Sequence, residues 1–279
     1  MKIQSAWRVT LLCQTCYMLQ HLLTSVQKSL GFGFSFLIYY GVPFHHRTLT
    51  QIYAPFIRPG DLCFDLGAHL GDRVSAWSRL GARIVALEPH PGCMRWLCRQ
   101  YGKKPNIILI EQAVGAYPGT ATLWISRLTP SISTLSRQWL EEVRKSPRFS
   151  NSRWEEHIPV TVTTLDALIA QYGMPRFCKI DVEGAELDVL QGLSQPIPAL
   201  SFEYIPATIE TALGCIDRLS QLGDYEYNWR VSEFPRLRSR DWLRPQDMIA
   251  HLQRMKRDSN SGDVYARLIS KGEGSVLPT

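Results

Sequence analysis

Three carboxylates lie close together in the segment KIDVEGAE, residues 179–186, where an apolar run meets a polar turn. A carboxylate within hydrogen-bond reach of a hydroxyl can orient it and take up its proton as a new bond forms. Asp181 directly follows the apolar run, and we predict that it is the catalytic base. Glu183 is the second predicted catalytic residue, although an acid at this position also favours the start of a helix. Glu186 is expected to be a first-turn acid of that helix.

The same acids allow two other interpretations. Asp181 could serve the fold alone, with its oxygens bonded to backbone N–H groups of the turn. Alternatively, Asp181, Glu183 and Glu203 could hold a divalent cation, because oxygen ligands suit Mg²⁺. No spacing of ligands in the sequence demands a metal, and none is predicted.

Further polar residues follow other apolar runs. Gly67 and Gly71 flank an expected strand-to-helix turn, where the lack of side chains lets backbone N–H groups approach a ligand at a helix N-terminus. Glu88 ends the next apolar run, where an acid can accept hydrogen bonds from both hydroxyls of a ribose. Gln112 ends the third run, where an adenine could lie. The pattern therefore indicates a cofactor that contains a nucleoside.

These residues need structural elements that bring them together. From residue 60 onward, short apolar runs alternate with stretches of helical periodicity, as in LCFDLG followed by GDRVSAWSRLG. The alternation predicts an α/β fold with a doubly wound, mainly parallel sheet, whose strands form a ligand site at their carboxyl ends. A polar segment, residues 127–157, interrupts the alternation and is predicted to be an insertion or lid. Trp139 and Trp154 within it could stack on a sugar or anchor the segment to the core.

Charge is distributed unevenly along the chain. Of a formal net charge of +6, residues 1–60 contribute five basic side chains and no acid, so the remainder is nearly neutral. A general nucleic-acid binder would carry its basic patch on the folded domain, so no nucleic-acid partner is expected. The apolar run at residues 30–42 is shorter than the roughly 20 residues that a bilayer span requires. Peripheral membrane contact through residues 1–42 is one prediction for this segment, and packing on the sheet or over the active site is the other.

The segments FDLGAHLGD, VALEPHP, EQAVG, KIDVEGAELDVLQG and SFEY, within residues 60–230, resemble the FkbM family of S-adenosylmethionine-dependent methyltransferases. The resemblance implies a class I methyltransferase (Rossmann-like) fold with seven strands, the last of them antiparallel. It also implies S-adenosylmethionine as cofactor and O-methylation of a hydroxyl on a sugar, a glycan or a polyketide-like product. His69 stands where the family commonly has Asn. The resemblance implies that Asp65, Gly67 and Gly71 line the methionine end of the cofactor, Glu88 the ribose, and Gln112 and Ala113 the adenine. The other predicted cofactor-binding residues are Ala68, His69 and Pro89.

The predicted organisation is an N-terminal helical extension at residues 1–58, a methyltransferase domain at residues 59–270 and a flexible tail at residues 271–279. The expected acceptor is a small molecule, sugar or glycan. Seven cysteines, scattered through apolar contexts, indicate reduced thiols of a cytoplasmic protein. Two rival functions stay open. One is a nucleotide-sugar or NAD-dependent Rossmann-like enzyme, which the absence of a G-x-G-x-x-G motif disfavours; the other is a non-catalytic, membrane-surface protein that only binds a ligand.

Overall fold

The computed structural model describes residues 45–149, 152–231 and 236–269. In this part of the chain ten strands form two sheets, and eight α-helices accompany them. The strands are β1 (Leu62–Leu66), β2 (Arg83–Leu87), β3 (Ile107–Ile110), β4 (Ala113–Val114), β5 (Gly119–Ile125), β6 (Glu156–Thr163), β7 (Phe177–Ile180), β8 (Ala199–Tyr204), β9 (Tyr225–Val231) and β10 (Gly262–Leu268). The α-helices are α1 (His45–Tyr53), α2 (Asp72–Arg79), α3 (Pro91–Tyr101), α4 (Arg137–Val143), α5 (Leu165–Tyr172), α6 (Glu186–Gln191), α7 (Ile209–Leu222) and α8 (Pro245–Gln253).

Seven strands form the central sheet, in the order β3-β2-β1-β7-β8-β10-β9. Neighbouring strands are parallel, except that β10 runs antiparallel to both β8 and β9. The strand order proceeds outward from β1 on one side and from β7 on the other, so the order reverses between these two strands. Ligands of such sheets bind at this reversal, outside the carboxyl ends of the strands. The predicted doubly wound, mainly parallel sheet with an antiparallel last strand is confirmed.

The central strands are buried on both faces, which explains their nearly continuous apolar sequences, such as FCKI in β7. One charged residue interrupts each of β1 and β7. Asp65 of β1 and Lys179 of β7 are partners in the strand register, and both are fully buried. A buried charge costs free energy unless it is paired. These two residues therefore mark where the sheet carries polar chemistry.

Helices cover both faces of the sheet. On one face, α1 packs on α2, and the rings of Tyr53 and Trp77 meet edge to face with 5.3 Å between their centroids. On the other face, α5, α6, α7 and α8 enclose a larger apolar cluster. Leu49, Phe56 and Ile57 are also buried on the α1 side. Residues 49–57 thus contribute buried side chains to the core beside the sheet.

The second sheet has three strands in the order β4-β6-β5, and the sequence pattern does not predict it. Between β5 and β6 the chain forms α4, flanked by single 3-10 turns at Pro130–Ile132 and Pro147–Phe149. Ser136 caps α4, since its hydroxyl accepts the N–H of Trp139 at 3.1 Å. Trp139 and Trp154 are buried in an apolar cluster, so they anchor the segment to the core. The cluster contains Trp139, Leu140, Val143, Phe149, Trp154, Ile205 and Ala207.

None of the described helices combines the length and apolarity that a membrane crossing requires. The predictions for residues 1–44 and for residues 271–279 lie outside the described residues.

Candidate functional site

A cleft of about 560 Å³ opens at the carboxyl ends of the central strands. The opposite wall comes from the segment after β5, including Ser131 and Leu135. The cleft therefore lies between the sheet and the predicted insertion. The predicted site residues that line it are Gly67, His69, Glu88, Pro89, Gln112, Ala113, Asp181 and Glu183.

Three predicted cofactor residues, Asp65, Ala68 and Gly71, lie behind the wall of the cleft. Asp65 is fully buried, and neither of its carboxylate oxygens has a hydrogen-bond partner among the described residues. Burial raises the pKa of Asp65 to about 7. Gly71 serves packing, because a Cβ there would lie 2.7 Å from the ring of Tyr101 and 2.8 Å from Leu97. Glycine at this position thus lets α2 begin close to α3.

The turn after β1 touches the turn after β7. Gly67 has a φ of 82°, and a Cβ there would overlap the carbonyl oxygen of Asp181 and lie 2.9 Å from its carbonyl carbon. The N–H of Asp181 donates to the carbonyl of Leu66 at 3.0 Å. Gly67 is therefore required for the two strand ends to meet, and their meeting brings Asp181 to the cleft.

Glu88 is fixed at the end of β2 by backbone groups. Its two carboxylate oxygens accept the N–H groups of His69 and His90, each at 2.8 Å. Burial raises the pKa of Glu88 to about 7, against the effect of these two hydrogen bonds. Each carboxylate oxygen can accept a further hydrogen bond. Glu88 can therefore still bind ligand hydroxyls in the cleft.

His69 occupies the left-handed region, with a φ of 48°. Histidine is among the residues enriched in this conformation, as are Asn and Asp. Burial lowers the pKa of His69 to about 4, so the ring is neutral near pH 7. The backbone of His69, through its bond to Glu88, contributes to the site whatever its side chain does.

Gln112 and Ala113 line the far end of the cleft, after β3. Leu87, Val114 and Leu123 surround them, which gives this end an apolar wall suited to a flat ring. The N–H of Gln112 donates to a carbonyl of β3 at 3.0 Å, so this backbone donor is already used within the turn. The predicted adenine end of the site thus offers mainly apolar contact.

Asp181 is paired with two cations. Its Oδ2 lies 3.2 Å from Nη2 of Arg73 and 3.4 Å from Nζ of Lys179. Arg73 also pairs with Asp72 at 3.1 Å. The side chain of Asp181 keeps 20% of its surface exposed. Asp181 is thus anchored, compensated in charge and still accessible from the cleft.

Behind Asp181 lies a buried ion network that the sequence pattern does not predict. Lys179 Nζ lies 2.8 Å from Asp263 Oδ1, and Arg230 Nη2 lies 2.6 Å from Asp263 Oδ2. Burial alone would raise the pKa of Asp263, but Lys179 and Arg230 hold it well below its usual range. Removing one partner of such a buried pair typically costs about 3–5 kcal/mol. The one signal in the sequence was Lys179, a charge inside an apolar strand.

Glu183 and Glu203 form a second acidic group beside Asp181. One carboxylate oxygen of each of the three residues lies within 4.8 Å of the others. None of the ion pairs between described residues includes Glu183 or Glu203. Burial and the nearby Glu203 carboxylate raise the pKa of Glu183, and burial together with Asp181 raises that of Glu203. The structure thus groups the acids of the alternative metal interpretation.

Glu186 begins α6, as expected, and has a more specific contact than a first-turn acid needs. Its Oε1 accepts the N–H groups of Val182 at 3.2 Å and Gly184 at 3.1 Å. Burial raises the pKa of Glu186 to about 7 despite these hydrogen bonds. Glu186 therefore closes the turn that carries Glu183.

The sequence model of the methyltransferase FkbM domain matches residues 65–210 of this chain, which is more than half of its length. The matched range contains all predicted cofactor and catalytic residues. No curated protein matches the chain.

Several solved methyltransferases are similar in structure. An FkbM methyltransferase from Methylobacillus flagellatus is 17% identical with a TM-score of 0.46, and the alignment covers 78% of this chain and 47% of that one. For precorrin-6y C5,15-methyltransferase from Geobacter metallireducens the identity is 11%, the TM-score 0.43 and the coverage 81% and 87%. For an O-methyltransferase from Bacillus cereus in complex with SAH the values are 9%, 0.42, 88% and 90%. The chain thus spans about half the length of the FkbM structure.

Proposed function

Because the chain belongs to the FkbM family of methyltransferases, we propose that it methylates a hydroxyl oxygen of a sugar, a glycan or a polyketide-like molecule. S-adenosylmethionine is the cofactor and supplies the methyl group from its sulfonium when bound. The observation that carries the proposal is that Glu88 and Asp181 meet on one cleft. The first suits the hydroxyls of a ribose, and the second suits the hydroxyl of an acceptor.

The residues of the cleft fit this cofactor. Glu88 has both oxygens fixed by backbone N–H groups and retains acceptor capacity for the ribose hydroxyls. The apolar wall around Val114 and Leu123 suits the adenine. Asp65, behind Gly67, carries a buried carboxylate with no partner among the described residues, which suits the ammonium of the methionine part or a water that bridges to it.

In this proposal the carboxylates of Asp181 and Glu183 have different roles toward the acceptor. With the cofactor bound, transfer of the methyl group to the hydroxyl oxygen would break the carbon–sulfur bond, whose electron pair would stay with sulfur, and the hydroxyl proton would pass to a nearby base. Asp181, compensated by Arg73 and Lys179, holds the hydroxyl in line for the displacement. Glu183 receives the proton, because it has no cation partner among the described residues and its pKa is raised. The sequence prediction gave the proton to Asp181; the cation pairing of Asp181 favours the new division.

Calorimetry tests the cofactor part of the proposal. S-adenosylmethionine and S-adenosylhomocysteine should bind, and the loss of two ribose hydrogen bonds in Glu88→Ala should weaken both by at least about tenfold. Glu111→Ala is the matched control, since Glu111 is an exposed acid beside the same site and does not line the cleft. It should change the affinity by less than about twofold. Binding of NAD without binding of S-adenosylmethionine would overturn the assignment.

A transfer assay tests the acceptor part. The enzyme is incubated with S-adenosylmethionine labelled in its methyl group and a panel of sugars, glycans and polyketide-like alcohols. The expected product carries the label on an oxygen, as shown by mass and by the carbon chemical shift of the new methyl group. Label found on nitrogen, on carbon or in nucleic acid would contradict the proposal.

A further inference from the structure

The turn that carries Glu183 has an unusual backbone. Glu183 has a φ of 52° and Gly184 a φ of 91°, so two successive residues lie in the left-handed region. Glycine adopts this region freely, but for Glu183 it brings Cβ close to a carbonyl oxygen. A strained residue of this kind persists only where its surroundings hold it. From inside the domain the holding group is the Glu186 carboxylate, which binds the N–H groups on either side of Glu183.

From outside, the holding group is Thr134 of the insertion. Its hydroxyl donates to the carbonyl of Glu183 at 2.6 Å and accepts the N–H of Ser136 at 2.9 Å. The backbone of Thr134 exchanges two hydrogen bonds with Trp124 of β5, at 2.8 and 3.0 Å. Only 1% of Thr134 is exposed. The Glu183 carbonyl is therefore tied through one side chain to the edge of the second sheet.

The indole ring of Trp139 packs against the same turn, at Gly184. A Cβ on Gly184 would collide with the indole ring and lie 2.6 Å from Cβ of Trp139. The ring is itself held by edge-to-face contacts with Phe149 and Trp154, at 5.7 and 5.9 Å between centroids. Only glycine fits beneath Trp139, so the insertion and the turn are complementary in shape as well as joined by a hydrogen bond.

We propose that Thr134 is a positioning residue that holds Glu183 in its left-handed conformation and thereby aims the Glu183 carboxylate into the cleft. Its effect on catalysis rests on the proposed function of Glu183, but its effect on the backbone does not. The insertion then contributes to the active site by fixing the catalytic turn as well as by forming a wall of the cleft. No pattern in the sequence indicates this contact.

The backbone part of the proposal can be tested without an acceptor. Glu183→Gly and Glu183→Ala both remove the carboxylate and differ in their tolerance of a positive φ. They also differ in the freedom of the unfolded chain, which contributes equally in every Thr134 background. With Thr134 present, the unfolding equilibrium constant of Glu183→Ala should exceed that of Glu183→Gly by about tenfold. In the Thr134→Val background the turn can relax, and the ratio should fall towards one. Thr134→Ser, which keeps the hydroxyl, should retain the ratio.

Thr164→Val is the matched control for this experiment. Thr164 is also buried, and its hydroxyl caps α5 by accepting the N–H of Ala167 at 3.2 Å, away from the turn. It should lower stability without changing the ratio. A ratio near one in the presence of Thr134 would show that Glu183 carries no left-handed strain. A ratio that stays near ten in Thr134→Val would show that Thr134 does not hold the turn. Either result overturns the proposal.

Turnover supplies the second readout. With an acceptor from the transfer assay, Thr134→Val should lower kcat by at least about tenfold while the affinity for S-adenosylhomocysteine changes less than about twofold. Thr134→Ser should restore most of kcat. A kcat of Thr134→Val equal to that of the wild type would exclude a positioning role. Should no acceptor be methylated, the proposed function fails, while the stability ratio still decides whether Thr134 holds Glu183.

Discussion

Asp181 and Glu183 lie on the same cleft, and their partners give them different properties. Asp181 contacts Arg73 and Lys179, and Lys179 is in turn paired with Asp263. Glu183 has a second carboxylate, Glu203, as its neighbour and no ion-pair partner among the described residues. Of two acids in one active site, the one beside cations is suited to orienting a donor, and the one beside another acid to taking up a proton.

Asp181→Asn separates orientation from cofactor binding. The substitution keeps the shape of the side chain and removes the charge that, in the proposed function, holds the acceptor hydroxyl in line. We expect kcat to fall at least about 100-fold, with the affinity for S-adenosylhomocysteine unchanged within about twofold. Arg73 and Lys179 lose a partner in this variant, which can lower its stability. Denaturant unfolding should therefore be measured to confirm that the variant is folded. Asp188→Asn, an acid of α6 outside the cleft, is the control, and undiminished turnover in Asp181→Asn would remove this residue from the mechanism.

The raised pKa of Glu88 leads us to expect that cofactor binding depends on pH. Its pKa is raised from 4.5 to about 7, chiefly by burial. The ionised form accepts ribose hydrogen bonds better, so affinity should rise with pH up to about 7 and then level off, by at most about tenfold per pH unit. The stability of the protein without cofactor should change with pH in the opposite direction. Because the folded pKa is raised, the stability contributed by Glu88 is complete below about pH 4.5 and is lost as the pH rises through 7.

Calorimetry of S-adenosylhomocysteine between pH 5.5 and 8.5 measures the binding profile. Glu88→Gln should bind more weakly and with a flatter profile than the wild type. A slope that is the same in Glu88→Gln would assign the titration to another group, and Asp65, with its pKa of about 7, would be the first to examine.

At the scale of elements, the site depends on the contact between the ends of β1 and β7. Gly67→Ala would drive a Cβ into the backbone of Asp181 and would also strain a residue at a φ of 82°. We expect a loss of at least about 3 kcal/mol in the free energy of unfolding, measured in urea. Gly60→Ala isolates the strain, since Gly60 has a φ of 87° and no atom within 4 Å of its Cβ position. It should cost about 1–2 kcal/mol, and equal losses in the two variants would contradict a role for the contact.

Periodicity predicts the central sheet because strands such as β1, β2 and β7 are buried apolar runs, and a helix follows each of them. It does not predict the second sheet, since β4 has only two residues and the partners β5 and β6 are separated by the insertion. Glu88 and Asp181 could be found because they end apolar runs. Asp263 could not, because β10 reaches Lys179 only by inserting between β8 and β9, and local sequence does not encode that placement.

At the scale of the whole molecule, charge separates the beginning of the chain from the rest. Residues 1–60 carry five basic and no acidic side chains, whereas the remainder is nearly neutral. Within the later part, Arg73, Lys179 and Arg230 are paired with Asp72, Asp181 and Asp263. The excess positive charge therefore lies in residues 1–60, a segment that includes α1.

That asymmetry predicts binding to anionic membranes through residues 1–42. Lys2, Arg8 and Lys28 lie in this segment together with the apolar run at residues 30–42. Each basic residue near an anionic surface contributes about 1 kcal/mol, so three give roughly 100-fold tighter association than a neutral surface does. We expect co-sedimentation with vesicles of anionic phospholipid that weakens as salt is raised from 0.1 M to 0.5 M, because the Debye length shortens. Deletion of residues 1–42, which leaves α1 intact, should abolish co-sedimentation.

Replacing the three basic residues with Glu keeps the apolar run and should abolish the preference for anionic vesicles. If the full chain stays in the supernatant, or binds neutral vesicles equally well, packing on the domain is left as the role of this segment.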